Sequence, residues 1–293
     1  MSVFTKVLQH PFNRSRRLRA LGRLLWWQLV APRNGEARQF GLIDRIRMYV
    51  RRGETAVTAC YYCGLFEYRE MLFLLRCLRD ADVFIDVGAN SGVYTLLGAS
   101  TGARVIAIEP GSRAHDRLLK NLRLNQIDRA DVYCAAVSSA PGQATLTTGL
   151  DATNYLTIDT QQPAEAVRVL TLDSLQLPAG AWRVCKIDVE GHEESVLRGA
   201  VDFLAAPELA AVIIEAGGSG TASGGRLHSI HNMLTAAGFN LVDYDPDENQ
   251  LAPAAIDAVA VDKTVNLIYI RSRQWCNSRL ANARQFQVQG RTV

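Results

Sequence analysis

An acidic residue at a glycine-rich turn is the first feature of this sequence that could do chemistry. Residues Asp86–Gly92 follow a short apolar strand pattern and precede a helical pattern. Glycines in such a turn let the backbone bend tightly and approach a ligand closely. The next predicted strand ends in Glu109, where an acid is suited to hydrogen-bond ribose hydroxyls. Together these residues predict a site for a nucleoside-containing cofactor.

The position of Asp86 separates the candidate cofactors. A dinucleotide usually requires G-x-G-x-x-G after the strand, and a carboxylate at this point would repel its pyrophosphate. The same carboxylate suits a ligand that carries an ammonium and a sulfonium, which are the charges of S-adenosylmethionine. One alternative is a nucleotide-dependent oxidoreductase, which the acid in the turn disfavours. The other is that the turn only connects a strand to a helix and binds no cofactor.

A second group of ionisable residues lies at 186–194 and ends the fourth predicted strand of the sheet. Alternation along a strand sends Lys186, Asp188 and Glu190 to one side, and a fifth strand ends in Glu215. Carboxylates gathered there could take a proton from a hydroxyl or bind a divalent ion, although we assign no metal ligand. His192 is a further candidate base, with helix capping or substrate contact as its alternatives.

The elements that must position these residues alternate between strand and helix from residue 82 onward, which predicts an α/β fold with a mostly parallel, seven-stranded sheet flanked by helices. The predicted strands are 83–87, 105–108, 131–137, 184–189, 212–214, 239–244 and 265–270, the last two at a sheet edge. The predicted helices are 68–79, 93–100, 114–125, 193–197 and 227–237. Residues 217–225 are predicted to form a mobile loop.

Three regions are predicted along the chain: a helical N-terminal extension (1–80), the main α/β domain (81–272) and a basic C-terminal tail (273–293). In the extension, Leu18, Leu21, Leu25 and Leu29 have helical spacing. We expect this stripe to pack onto the neighbouring domain. A helix lying flat in a membrane interface is the alternative.

With these residues and their spacing, the chain resembles the FkbM family of methyltransferases over about residues 64–270. The matching residues are 84–95, 107–110, Asn121, Asn125, 135–138, Gly142, 186–193, 196–199, 213–215 and 266–270. The resemblance implies a Rossmann-like methyltransferase fold, S-adenosylmethionine as donor and O-methylation of a sugar or natural product.

The resemblance also implies roles for individual residues. Asp86, Gly88, Asn90 and Gly92 would hold the methionine end of the donor, Glu109 beside Pro110 the ribose, and Ser138 would lie near the adenine. Asp188 and Glu190 are then the first candidates for catalysis, with Glu215 and His192 next. A non-catalytic binding or assembly protein that kept this fold is the alternative from another class.

Composition limits the partners. The net charge of +3 is too small to predict nucleic acid binding, so we expect a small-molecule or glycan acceptor. Both ends are basic, and an anionic or membrane surface is a possible contact for them. These basic residues are Lys6, Arg14, Arg16, Arg17, Arg19, Arg23 and Arg33, and Lys263, Arg271, Arg273, Arg279, Arg284 and Arg291.

The cysteines and the apolar segments bear on localisation. Cys77, Cys134 and Cys185 lie in apolar segments, as buried thiols do, and the Cys60/Cys63 pair lacks a second zinc-ligand pair nearby. No segment reaches the length needed to span a bilayer. These features predict a cytoplasmic protein, with peripheral membrane attachment left open. The acceptor, the oligomeric state and any metal requirement are also open.

Overall fold

Helices and strands alternate along most of the chain. The computed structural model describes residues 2–31, 35–149, 155–157, 163–217, 223–260 and 264–293. The helices are α1 (Val3–Gln9), α2 (Arg17–Val30), α3 (Thr55–Cys63), α4 (Tyr68–Cys77), α5 (Val93–Ser100), α6 (Ser112–Leu124), α7 (Glu193–Arg198), α8 (Val201–Ala205), α9 (Ser223–Ala236) and α10 (Arg273–Ala281).

The strands belong to one large sheet and three small ones. They are β1 (Arg38–Ile43), β2 (Ile46–Val50), β3 (Val83–Val87), β4 (Arg104–Ile108), β5 (Ala130–Tyr133), β6 (Ala136–Val137), β7 (Gly142–Thr147), β8 (Leu156–Thr157), β9 (Ala164–Leu170), β10 (Arg183–Ile187), β11 (Leu209–Ala216), β12 (Asn240–Asp245), β13 (Gln250–Pro253), β14 (Val265–Ile270), β15 (Gln287–Val288) and β16 (Arg291–Thr292).

The large sheet has the strand order β13-β12-β14-β11-β10-β3-β4-β5. Neighbouring strands from β11 to β5 pair in parallel, whereas β14 is antiparallel to both β11 and β12. The predicted mostly parallel, Rossmann-like α/β fold is therefore confirmed. Two details differ, because β14 lies inside the sheet, and because β13 adds an eighth strand to the predicted seven. β13 is short and ends in Pro253, as an edge strand can.

Side chains of the central strands alternate between two apolar layers, as a sheet covered by helices on both faces requires. In β3, Val83, Ile85 and Val87 pack into the layer that contains residues of α7, α8 and α9. Phe84 points to the other layer, formed with α4, α5, α6, α10 and the N-terminal region. The carboxyl ends of the parallel strands consequently meet at one edge of a rigid frame.

The strand predicted at 131–137 is two strands. β5 ends the large sheet, and after Cys134 and Ala135 the chain enters a smaller sheet in which β6 pairs with β9, and β9 with β7. The apolar run is continuous across both strands, so the sequence gives no indication that the chain bends between β5 and β6. Most of the predicted loop at 217–225 lies outside the described residues.

The N-terminal region is not purely helical, because β1 and β2 form an antiparallel hairpin. Two asparagines, one within α6 and one at its C-cap, attach this hairpin to the main domain. Asn121 accepts from the backbone N–H of Tyr49 (2.9 Å) and donates to the carbonyl of Ser91 (2.8 Å). Asn125 accepts from the N–H of Arg47 (2.7 Å) and donates to its carbonyl (2.7 Å). The hairpin is thus tied through Asn121 to the glycine-rich turn.

The leucine stripe of α2 does not pack inward as predicted. The buried residues of this helix are Ala20, Leu24 and Trp27, whereas Leu18 is 84% exposed and Leu29 72% exposed. The buried positions have the same helical spacing but lie on the opposite face. Both faces of this helix therefore carry apolar residues at helical spacing, and the spacing alone does not tell which face is buried.

The C-terminal residues predicted as a tail form α10 and the β15–β16 hairpin. Their arginines mostly bind the protein itself. Arg279 pairs with Asp82 (3.0 Å), Arg284 donates to the carbonyl of Thr101 (3.1 Å), and Arg291 donates to that of Phe12 (3.0 Å). Among the described residues, no helix is long and apolar enough to cross a membrane. The division into three regions stays a prediction.

Candidate functional site

The glycine-rich turn joins β3 to α5 in left-handed backbone. Gly88, Asn90 and Gly92 have φ angles of 80°, 49° and 92°, a region that glycine enters without a steric penalty. A Cβ atom on Gly88 would lie 1.7 Å from the carbonyl oxygen of Asp188, and one on Gly92 would lie 2.4 Å from Cδ1 of Leu118. Both glycines therefore allow close approach, the first between the turn and the end of β10.

Two acids hold this turn from the carboxyl ends of β3 and β4. Asp86 is buried and accepts a hydrogen bond from the Thr95 hydroxyl (2.6 Å). Glu109 accepts from the backbone N–H groups of Asn90 (2.8 Å) and Gly111 (2.7 Å). Burial raises the pKa of Asp86 to about 6 and that of Glu109 to about 7. Ionising these carboxyls is costly unless a cationic or hydrogen-bonding ligand compensates them.

The turn forms one wall of a cavity that encloses about 1040 Å³, counting the part open to solvent. Apolar side chains from β6, β7 and β8 form another part of the lining, namely those of Ala136, Val137, Leu146 and Leu156. Of the predicted donor-binding residues, those that line the cavity are Asp86, Gly88, Asn90, Glu109 and Pro110. Gly92, the N-cap residue of α5, and Ser138, which contacts His192, are not among the lining residues.

Three carboxylates meet where β10 and β11 end. One oxygen each of Asp188, Glu190 and Glu215 lies within 4.8 Å of the other two, so the predicted convergence is present. Asp188 and Glu190 also line the cavity. Glu190 adopts a left-handed φ of 52°, which is uncommon for a residue with a side chain and is typical of functional turns.

A buried lysine orients one member of this cluster. Nζ of Lys186 lies 2.5 Å from Oδ2 of Asp188 and 4.5 Å from the centre of the Tyr94 ring. Burial alone would lower the pKa of Lys186, but the carboxylates of Asp188, Glu67 and Asp86 raise it. Lys186 is therefore a permanent cation that fixes the side chain of Asp188.

The other two carboxyls of the cluster hold their protons more tightly than usual. Burial, followed by the negative charges of Asp188 and Glu193, raises the pKa of Glu190 to about 7. Burial and the charges of Asp188 and Glu190 raise the pKa of Glu215 well above its ordinary value. Near neutral pH, Glu190 is thus poised between its two protonation states, and Glu215 is protonated.

His192 connects the catalytic candidates to the predicted adenine side. Its Nε2 lies 2.9 Å from Oγ of Ser138, and burial lowers its pKa. Although His192 occupies the N-cap position of α7, its side chain makes no capping hydrogen bond there. Glu193 instead shapes the turn by accepting from the N–H groups of Gly191 (3.0 Å) and Val189 (3.3 Å).

Glu67 is a cavity residue that the sequence did not reveal. It lies in the N-terminal region just before α4, and its Oε2 accepts a hydrogen bond from the Tyr94 hydroxyl (2.5 Å). Burial raises its pKa, while Lys186 and a hydrogen bond from Asn266 oppose that rise. Nothing local in the sequence marks this acid, because only tertiary packing brings it to Tyr94.

Two histidines of α9 and three cysteines are not among the residues that line the cavity. His228 contacts Asp257 (3.2 Å), and Nδ1 of His231 lies 3.0 Å from the Tyr269 hydroxyl. Cys60 and Cys63 are buried free thiols. Cys134 is exposed, contrary to the expectation for an apolar segment, because it lies at the bend between β5 and β6.

Comparisons with known proteins agree with this geometry. The profile of the methyltransferase FkbM domain matches residues 86–241, a span that contains both the glycine-rich turn and the carboxylate cluster. A hexuronic acid methyltransferase from Haloferax volcanii, AglP, is 31% identical over 152 residues, which are 49% of this chain and 60% of that protein. The alignment thus spans less than two thirds of the relative.

Solved structures resemble the chain at lower identity. A methyltransferase FkbM from Methylobacillus flagellatus shares 19% identity and a TM-score of 0.44, over 73% of this chain and 52% of that one. A TehB-like SAM-dependent methyltransferase from Corynebacterium glutamicum shares 12% identity and a TM-score of 0.41, over 74% and 95%. On the strength of the domain match, which covers more than half of its residues, this chain belongs to the family of proteins with a methyltransferase FkbM domain.

Proposed function

We propose that this protein is an S-adenosylmethionine-dependent O-methyltransferase that acts on a hydroxyl of a sugar or glycan. The observation that carries the proposal is the cluster of Asp188, Glu190 and Glu215 beside a cavity whose wall holds Asp86 and Glu109. The name of the related hexuronic acid methyltransferase supports a sugar as the acceptor class.

The residues of the cavity fit the donor. Asp86 and Glu109 are suited to an ammonium group and to ribose hydroxyls, and the apolar wall of β6, β7 and β8 suits an adenine ring. When bound, S-adenosylmethionine supplies a methyl group that is already activated on a sulfonium. The protein therefore has to align the acceptor oxygen with that methyl group and exclude water.

The acceptor hydroxyl must lose a proton as its oxygen–carbon bond forms and the sulfur–carbon bond breaks. Glu190 is the best proton acceptor of the cluster, because a general base works best with a pKa near the working pH. Asp188, held by Lys186, orients the hydroxyl. Glu215, whose raised pKa favours its neutral form, completes the cluster without adding a second negative charge. His192 steadies the neighbouring wall through Ser138.

The test is transfer of an isotopically labelled methyl group from S-adenosylmethionine to a panel of hexuronic acids, neutral sugars and lipid-linked glycans. We expect labelled product with at least one sugar class, none with Asp188→Asn, and unchanged transfer with Asp131→Asn, whose carboxylate pairs with Arg104 at the surface. Donor binding without transfer to any acceptor would favour the non-catalytic binding or assembly protein.

The same assay distinguishes two possible roles of the three clustered carboxylates, proton transfer and metal binding. If the cluster moves a proton, as proposed, EDTA leaves the rate unchanged. Loss of activity in EDTA and its recovery with Mg²⁺ would instead assign Asp188, Glu190 and Glu215 as metal ligands.

Contact with an anionic surface remains a proposal for the N-terminal end alone. Lys6, Arg14, Arg17 and Arg19 are exposed there, whereas the described C-terminal arginines are largely engaged within the protein.

A further inference from the structure

Helix α2 presents an apolar strip to solvent on the side opposite its buried face. Leu18, Leu25 and Leu29 are separated by seven and four residues, which places them on one narrow strip of a helix. They are 84%, 41% and 72% exposed. Gly22 lies within the same strip and adds no side chain. An apolar strip this long on an exposed helix marks a surface that is normally covered.

Basic residues border this strip on both sides. Arg17 and Arg19 flank Leu18 in sequence, so each projects about 100° around the helix from it, one to either side. Both are exposed. Residues 1–35 contain no Asp or Glu, and α1 adds exposed Lys6. This end therefore carries concentrated positive charge around an apolar centre.

Three other basic side chains of this region lie close to protein partners. Arg16 donates to the carbonyl of Gly290 (2.6 Å), and Arg23 donates to that of Tyr62 (2.8 Å). Arg14 lies 4.0 Å from Asp247. The contacts of Arg16 and Arg23 hold α2 against the body of the protein, with Ala20, Leu24 and Trp27 buried on its inner side. The outer strip is consequently presented by a fixed helix.

We infer that this strip docks onto an anionic lipid membrane, with α2 lying in the plane of the interface. Apolar side chains would enter the acyl boundary, and the flanking arginines would meet lipid phosphates, which is the arrangement of interfacial amphipathic helices. The exposed Val3 and Phe4 of α1 (53% and 45%) are a second apolar element next to this helix. The inference deepens and rests on the proposed anionic-surface contact, but it does not require methyl transfer.

The experiment is flotation of the full chain with vesicles of phosphatidylcholine alone or mixed with phosphatidylglycerol. We expect binding to the mixed vesicles, weakened by salt. Leu18→Gln with Leu29→Gln should weaken it about tenfold per leucine, from the transfer free energy of one side chain. Arg17→Glu with Arg19→Glu should weaken it about fivefold or more per arginine.

These changes preserve the helix, because glutamine is a good helix former and acids are favourable in a first helical turn. Val201→Gln, which alters an equally exposed apolar residue of α8 (66%), is the matched control and should bind as the unchanged protein does. Titration of each variant with S-adenosylmethionine keeps the two proposals apart, since neither double variant touches the cavity.

Three results would overturn the inference. The folded protein could fail to bind either vesicle, or the leucine variant could bind as well as the control. Sedimentation could also show self-association that is lost in the leucine variant, which would make a second copy of the chain the occupant of this strip.

Discussion

Replacing Gly88 by alanine should damage both folding and donor binding. Gly88 has a φ of 80°, and a Cβ atom there would lie 1.7 Å from the Asp188 carbonyl oxygen, where real Cβ contacts essentially never fall below 3.0 Å. The backbone of one segment must therefore move by at least 1.3 Å, the difference between these distances. Gly88 and Asp188 directly follow the paired strands β3 and β10, and the contact is with a backbone oxygen, so no side-chain rotation can relieve it.

The cost follows from two effects. Alanine in left-handed backbone costs about 1–2 kcal/mol, and overpacking a closely packed site costs about 1–3 kcal/mol. We expect the free energy of unfolding to fall by about 3 kcal/mol and Tm by about 5 °C for a chain of this size. Displacement of the turn also disturbs the hydrogen bond between Asn90 and Glu109 (2.8 Å), and losing a bond to a charged group should weaken donor binding about tenfold or more.

Thermal unfolding and calorimetric titration with S-adenosylmethionine measure the two effects separately. Gly22→Ala is the matched control, because a Cβ atom there meets nothing within 4 Å. Since alanine is the better helix former, this control should gain up to about 1 kcal/mol of stability. A Gly88→Ala variant with unchanged Tm and unchanged donor affinity would refute the account of the close approach between the turn and β10.

Three further predictions concern ionisable residues. The rate of methyl transfer should rise with pH through an apparent pKa near 7, because Glu190 has a raised pKa and acts as a base only when ionised. If the pH–rate profile of Glu190→Gln still shows this rise, Glu190 is not the base. The raised folded-state pKa of Glu215 means that its contribution to stability is largest below its unfolded pKa and is lost as pH rises towards the folded value. Glu215→Gln should therefore be more stable than the unchanged protein at pH 8 by about 2–5 kcal/mol and nearly equal to it at pH 4, by chemical denaturation. Equal stability at pH 8 would contradict the burial argument. Asp82→Asn should lower the free energy of unfolding by about 3 kcal/mol, because it leaves Arg279 without its buried partner. Asp131→Asn, at an exposed ion pair, should lower it by less than about 1 kcal/mol. Similar losses of stability in the two variants would contradict the argument that burial makes the first ion pair the more important one.

The site was predictable wherever its residues end consecutive strands. Asp188, Glu190 and Glu215 converge because parallel strands bring their carboxyl ends to one edge, so alternation and strand order suffice to place them. Glu67 was not predictable, since packing of the N-terminal region brings it to Tyr94. The contact between Ser138 and His192 likewise depends on how the small sheet lies against α7.

Some elements of the fold were likewise predictable from the sequence, whereas others were not. Strand β3 and helix α5 have their predicted bounds because the apolar strand ends at Gly88 and the helix begins directly after Gly92. The β1–β2 hairpin was missed although residues 46–50 alternate between polar and apolar side chains. The outward strip of α2 was assigned to the core because periodicity reveals that a helix has an apolar stripe, but not whether anything in the fold covers it.

Calorimetric titration with S-adenosylmethionine, and separately with NAD, tests the central claim most directly. We expect saturable binding of S-adenosylmethionine but not of NAD. Glu109→Gln should weaken this binding, because Glu109 lines the cavity and holds Asn90. Glu248→Gln, at an exposed carboxylate, should bind normally. A folded protein that binds NAD, or that binds S-adenosylmethionine equally well with Glu109→Gln, would contradict the assignment of this cavity as the donor site.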